Sequence, residues 1–128
     1  MKQLKRILHV EDVPSIQVVT RVALERIGGF EVLSCLSARE ALARVEDFAP
    51  DLVLLDMMLP EMDGVELLRQ LGQRIDLTQV PVVFLTGAVD QERLDELRQL
   101  GARDVLAKPF DPMQLSARLQ DIWKRLHD

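Results

Sequence analysis

Five short apolar runs, each followed by a longer stretch of helical periodicity, leave few folds open to this 128-residue chain. The runs are Arg6–Val10 (RILHV), Phe30–Cys35 (FEVLSC), Leu52–Leu55 (LVLL), Val80–Leu85 (VPVVFL) and Asp104–Ala107 (DVLA). In the last helical stretch Leu115, Leu119, Ile122 and Leu126 recur at helix spacing, which turns one apolar face to the core. Helix starts are punctuated. Ser37 stands three residues before Glu40, and Asp63 three before Glu66, as in a capping box; Asp111-Pro112 opens the last helix with Gln114 in the reciprocal place, and Pro14 suits an early helical position. Gly28-Gly29 and Gly101 sit where helices should stop.

A strand-helix unit repeated five times with short loops predicts parallel strands, and right-handed crossovers place helices on both faces. Leu52–Leu55 and Val80–Leu85 are apolar throughout, and Ile7–Val10 is so except for His9, as strands covered on both faces require. Phe30–Cys35 and Asp104–Ala107 admit Glu31, Ser34 and Asp104, so they belong at the edges. The expected architecture is a single domain over residues 1–128: an α/β, doubly wound (βα)5, flavodoxin-like three-layer sandwich with sheet order 2-1-3-4-5. No linker, repeat or low-complexity tract interrupts it.

Composition narrows the function. Sixteen Lys and Arg against 21 Asp and Glu give a net charge of -5, which argues against a duplex-DNA footprint on this domain. No apolar run approaches a membrane span, and MKQLKRILHVED is too short in its apolar part for a secretion signal. Cys35 is alone, so neither an intrachain disulfide nor a cysteine zinc site is available. A cytoplasmic location is expected.

The chemistry is expected at the strand ends. In DLVLLDMMLPEMDG, Asp51–Gly64, a fully apolar run delivers a carboxylate, Asp56, at its end. Ligands of an open doubly wound sheet bind beyond the carboxyl ends of the strands, where strand order reverses. For order 2-1-3-4-5 that crevice receives Glu11 and Asp12 from the first strand and Asp56 from the third, with Thr86 ending the fourth and Lys108-Pro109 the fifth. Carboxylates about 4 Å apart repel by roughly 4 kcal/mol at an effective dielectric near 20. Lys108 can offset one charge, and a hard divalent cation with oxygen ligands suits the rest. Such a site favours a phosphoryl group, with Asp56 as nucleophile, Mg²⁺ (or Mn²⁺) and Lys108 neutralising its charge, and the Thr86 hydroxyl donating to an oxygen.

HVEDVPS, LVLLDMMLPEMDG, VVFLTG and DVLAKPF, in that order, resemble the response-regulator receiver domain of two-component signalling, and the resemblance covers essentially the whole chain. It implies that Glu11, Asp12, Asp56 and the backbone carbonyl of Met58 hold Mg²⁺, that Asp56 is the phosphoacceptor, that Thr86 is the switch hydroxyl and Lys108 the conserved-type lysine, and that the Lys108-Pro109 bond is cis. It implies a histidine kinase or histidine phosphotransfer protein as donor, and a downstream output protein or fused output domain reached through the fourth helix, fifth strand and last helix. A phosphorylation-dependent dimer belongs to the same expectation, and turnover of an external substrate does not. One position departs from the family: Val105 stands where receivers commonly carry an aromatic switch residue, and the chain has no tyrosine.

Three other readings fit the residues less well. An aspartyl-phosphate phosphatase wants a second Asp two residues after the first, where Met58 stands. A flavin carrier on this fold wants a Ser/Thr/Gly phosphate cradle where Glu11 and Asp12 stand. A phosphorylation-independent interaction module leaves the acid set without a purpose. Asp12 by itself also suits a helix cap, although that leaves Glu11 unexplained. Ser37, Asp63 and Asp111 are assigned to capping, the side chains of Met57, Met58 and Met62 to packing and loop anchoring, and His9 is expected to be a hydrogen-bonded strand residue.

Overall fold

Each apolar run forms a strand: β1 (Arg6–Val10), β2 (Glu31–Cys35), β3 (Leu52–Asp56), β4 (Val82–Thr86) and β5 (Asp104–Ala107). The structure is a computed structural model and describes residues 3–57, 59–87 and 91–127, without the side chains of Gln91 and Arg93. The helices are α1 (Pro14–Val22), α2 (Ala38–Phe48), α3 (Gly64–Leu71), α4 (Gln91–Gln99) and α5 (Pro112–His127). The five strands pair in parallel in the order β2-β1-β3-β4-β5, with the two polar-containing strands at the edges.

The ladder differs from the apolar runs at its ends. It continues through Asp56, opposite Leu85, and Thr86, opposite Ala107, because pairing is made by backbone and tolerates a polar side chain. At the other end β4 begins at Val82: Pro81 has no N–H to give the ladder, and only its carbonyl takes part, accepting from Val53 N at 3.0 Å. Asp56 and Thr86 are therefore both fixed by the last rungs of the sheet.

Period-two alternation sends the strand residues into two cores. Leu8, Val10, Val53, Leu55 and Phe84 pack with Leu42, Val45, Leu67, Leu68 and Leu97 of α2, α3 and α4. Ile7, Leu52, Leu54, Val83 and Leu85 pack with Leu24, Leu115, Leu119 and Trp123 on the face of α1 and α5. Burying each such side chain contributes about 1.5–3 kcal/mol. The start of α3 is fitted to this packing: a Cβ on Gly64 would lie 2.6 Å from the Phe84 ring and 3.1 Å from Met57 Cα. Only glycine lets the chain after Asp56 turn down onto β4.

Capping follows the expected residues. Ser37 Oγ accepts from Glu40 N at 3.1 Å, Asp63 Oδ1 from Glu66 N at 2.9 Å, and Asp111 Oδ1 from Met113 N at 2.9 Å. Glu40 reaches back to Leu36 N, at 2.9 Å, one residue beyond a regular capping box. Helix α1 starts at Pro14 with Val13 at the cap and no side-chain cap bond, so Asp12 is not spent on capping. The sequence gives no hint that α1 runs on as a π-helical turn over Ala23–Ile27. Phe30 and Ser116 close onto Gly28, where a Cβ would meet both at 2.5 Å, and the wider turn brings the chain into that space.

Candidate functional site

The carboxyl ends of the strands bring the predicted residues together. Glu11, just past β1, is fully buried, and its backbone N–H is fixed to Cys35 O at 3.0 Å. Asp12 beside it is half-buried, and Asp56 at the end of β3 is buried. One carboxylate oxygen from each of Glu11, Asp12 and Asp56 lies within 4.8 Å of the others. From beyond β5, Lys108 Nζ reaches 3.1 Å from Glu11 Oε1 and 3.2 Å from Asp56 Oδ2. Thr86 is buried at the end of β4, and its carbonyl accepts from Lys108 N at 2.9 Å. The Lys108-Pro109 peptide is cis. Val105 is half-buried and pairs with Phe84. Met58, expected to offer its carbonyl, lies outside the described residues.

Burial drives the electrostatics. It raises the Glu11 carboxyl to about 7, with a hydrogen bond shared with Asp56 adding to the rise and Lys108 opposing it. Burial works against the charge on Lys108, but the bonds to Glu11 and Asp56 outweigh it and hold the ammonium above its ordinary pKa. The lysine therefore stays charged while one of its carboxyl partners sits near half-protonation at neutral pH.

Three carboxylates are hard oxygen donors of the kind Mg²⁺ takes, and ligands on opposite sides of such an ion are roughly 4.2 Å apart, twice a ~2.1 Å bond. A span of 4.8 Å closes on the ion with small side-chain adjustments, so the residues fit the metal. Ligation requires Glu11 ionised, whereas its proton is held up to about pH 7. Mg²⁺ affinity is accordingly expected to rise about tenfold between about pH 6 and about pH 8. The metal-free contribution runs the other way: with the folded pKa above the unfolded 4.5, Glu11's stabilisation is complete below that value and is lost as pH rises through about 7. Melting curves with a Mg²⁺ titration at the two pH values check both, and an affinity that does not change with pH would mean that Glu11 is already ionised.

The structure adds two features absent from the sequence reading. His9, expected to be hydrogen-bonded, is fully buried with neither ring nitrogen bonded to a protein group among the described residues; its ladder neighbours are Leu54 and Ser34, whose own hydroxyl is also unpartnered. Beside the acid pocket, Ser15, Ile16, Val19, Pro109, Phe110 and Pro112 line an open cavity of about 460 Å³ that Lys108 also borders. Val13, Val18, Val19 and Val22 are 40–49% exposed and extend this apolar surface along α1. The adjacent valines of VTRV and QVV carry that signal in the sequence, but only the fold shows them unpartnered.

Comparison with known proteins decides the family, because residues 7–120 match the model described as the response regulator receiver domain. The chain belongs to the response-regulator receiver family. This receiver is 40% identical over 123 residues to the alkaline phosphatase synthesis transcriptional regulatory protein PhoP of Bacillus subtilis, covering 94% of the chain and 49% of that protein. It is 39% identical to the phosphate regulon transcriptional regulatory protein PhoB of Pseudomonas aeruginosa, covering 94% and 52% respectively. The receiver thus spans about half the length of the curated relatives it matches. Among solved structures it superposes on a CheY-like receiver domain protein of Methanospirillum hungatei with a TM-score of 0.86 at 30% identity, covering 98% of each chain. Chemotaxis protein CheY4 of Vibrio cholerae gives 0.87 at 29% identity, over 93% of this chain and 98% of that one. No helix among the described residues is long and apolar enough to cross a membrane.

Proposed function

We propose that this receiver accepts a phosphoryl group on Asp56 from a phosphohistidine donor, with Mg²⁺ held by Glu11, Asp12, Asp56 and the Met58 carbonyl. The observation that carries the reading is the cluster of three carboxylates within 4.8 Å, with Lys108 bound to two of them. An Asp56 carboxylate oxygen attacks phosphorus in line, the P–N bond to the donor imidazole breaks with its electron pair returning to the ring, and an acyl phosphate forms. Mg²⁺, when bound, supplies neutralisation of charge on the transferring oxygens. Lys108, already poised at Asp56, pairs with one of those oxygens, and the Thr86 hydroxyl donates to another.

The test is intact-mass analysis in acetyl phosphate. A gain of one phosphoryl group with Mg²⁺, and none in a chelator, is the expected result. No gain with either acetyl phosphate or a phosphohistidine protein would turn the reading to a phosphorylation-independent interaction module.

The donor, a histidine kinase or phosphotransfer protein, must cover the pocket mouth to deliver its phosphoryl group. The apolar surface of α1 and the Pro109–Pro112 segment borders that mouth and is the area available for docking. Val19→Glu is expected to slow transfer from a phosphohistidine protein at least about tenfold by putting a charge into the contact, and to leave labelling by acetyl phosphate unchanged. Equal rates from the protein donor for wild type and variant would place docking elsewhere.

The state of Asp56 is then read on the face of α4, β5 and α5 by an output partner or an attached output domain, with a phosphorylation-dependent dimer through the same face. The relatives named as transcriptional regulators support a regulatory output in which DNA is bound outside this domain. The net charge of -5 agrees with that division, and a cytoplasmic setting with donor and output in one compartment completes the proposal. The receiver promotes its own phosphorylation and dephosphorylation and turns over no external substrate.

A further inference from the structure

Beneath α1 the sheet buries polar atoms that the phosphoryl chemistry does not use. His9 has no exposed surface, and both Nδ1 and Nε2 are without a hydrogen-bond partner. Its ladder partner on β2 is Ser34, whose Oγ is likewise buried and unpartnered. Alternation puts His9 on the side of Ile7, the face covered by α1 and α5, and puts Ser34 on the side of Val32, which packs into the same core. Helix α1 lies across β1 and β2, and on it Gln17, one turn before the buried Thr20, brings a third buried and unpartnered group, Nε2. Thr20 takes no part, since its hydroxyl is committed to Ile16 O at 2.8 Å.

Four buried polar atoms on β1, β2 and the helix that crosses them have no protein partner, and buried polar groups of this kind are normally hydrogen-bonded. A neutral imidazole offers one donor and one acceptor, a serine hydroxyl offers both, and the glutamine nitrogen donates. That mixture matches water, which gives and takes two hydrogen bonds and needs two to four polar partners to be held. It does not match a metal ion, because Ser34 and Gln17 bring no anionic ligand. We propose that His9, Ser34 and Gln17 form an internal water-binding site beneath α1, two residues along β1 from Glu11, which joins β1, β2 and α1 through bridging hydrogen bonds.

Two measurements on the whole chain test this, and both results are required. A high-resolution crystal structure is expected to show ordered water within about 3.2 Å of a His9 ring nitrogen and of Ser34 Oγ. A dry layer, or ring nitrogens bonded to protein groups, overturns the proposal. Ser34→Ala fits the space and is expected to lower the melting temperature by about 3 °C, because the bridge is broken and the other partners are left unsatisfied. If Ser34 has no bridge, the same substitution removes an orphaned hydroxyl, and an unchanged or higher melting temperature overturns the proposal. Neither experiment depends on phosphorylation at Asp56.

Discussion

Asp56→Asn is expected to gain no mass in acetyl phosphate and Mg²⁺ under conditions that label the wild type fully. The amide keeps the size and position of the carboxylate at the end of β3, so the sheet and the pocket walls stay as they are. What it removes is the anionic oxygen that attacks phosphorus, and an amide offers no nucleophile of comparable strength. Glu11 cannot take over, being fully buried and near half-protonation at neutral pH. The same change relieves crowding of carboxylates in the pocket, while Lys108 keeps its bond to Glu11. The variant should therefore melt higher than wild type without metal, by about 1 kcal/mol or a few degrees, and gain less from Mg²⁺. Labelling that persisted at wild-type rate would move the acceptor to another residue.

Lys108→Met separates two roles of one ammonium. In the resting pocket it stands between Glu11 and Asp56, and its removal leaves them facing each other. With the lysine partly exposed and solvent screening the pair, the cost in a chelator is expected to be about 1–2 kcal/mol, and Mg²⁺ should recover most of it. During transfer the ammonium meets charge developing on the phosphoryl oxygens, and that loss is not recovered by metal. A time course of mass gain at saturating Mg²⁺ is expected to slow by roughly 10²–10³-fold, the range seen when a preorganised donor is removed. A wild-type rate would reduce Lys108 to balancing the resting carboxylates.

The site was legible because strand order and strand ends alone bring its residues together. Polar residues in Phe30–Cys35 and Asp104–Ala107 identified the edges, order 2-1-3-4-5 satisfied that placement, and in that order the acids at the ends of β1 and β3 meet. Lys108 and Thr86 became informative only as the ends of neighbouring strands. The sequence was silent on features set by what lies opposite in space. Whether His9 finds a partner depends on Ser34, 25 positions away and brought alongside by the β1–β2 register. The widened turn at Ala23–Ile27 meets Ser116 of the last helix, whose hydroxyl donates to Ala23 O at 3.4 Å. The exposure of Val18, Val19 and Val22 records that no element among the described residues covers them, which no local pattern states.

The bond between Lys108 and Glu11 spans 97 positions of sequence. A ribosome that has released β1 through β4 has exported Glu11, Asp12 and Asp56, yet the cation that opposes their repulsion is still to come. Completion of the pocket is thereby tied to the emergence of β5 and of Lys108 beyond it, and chains interrupted before that point should neither draw on the donor nor signal.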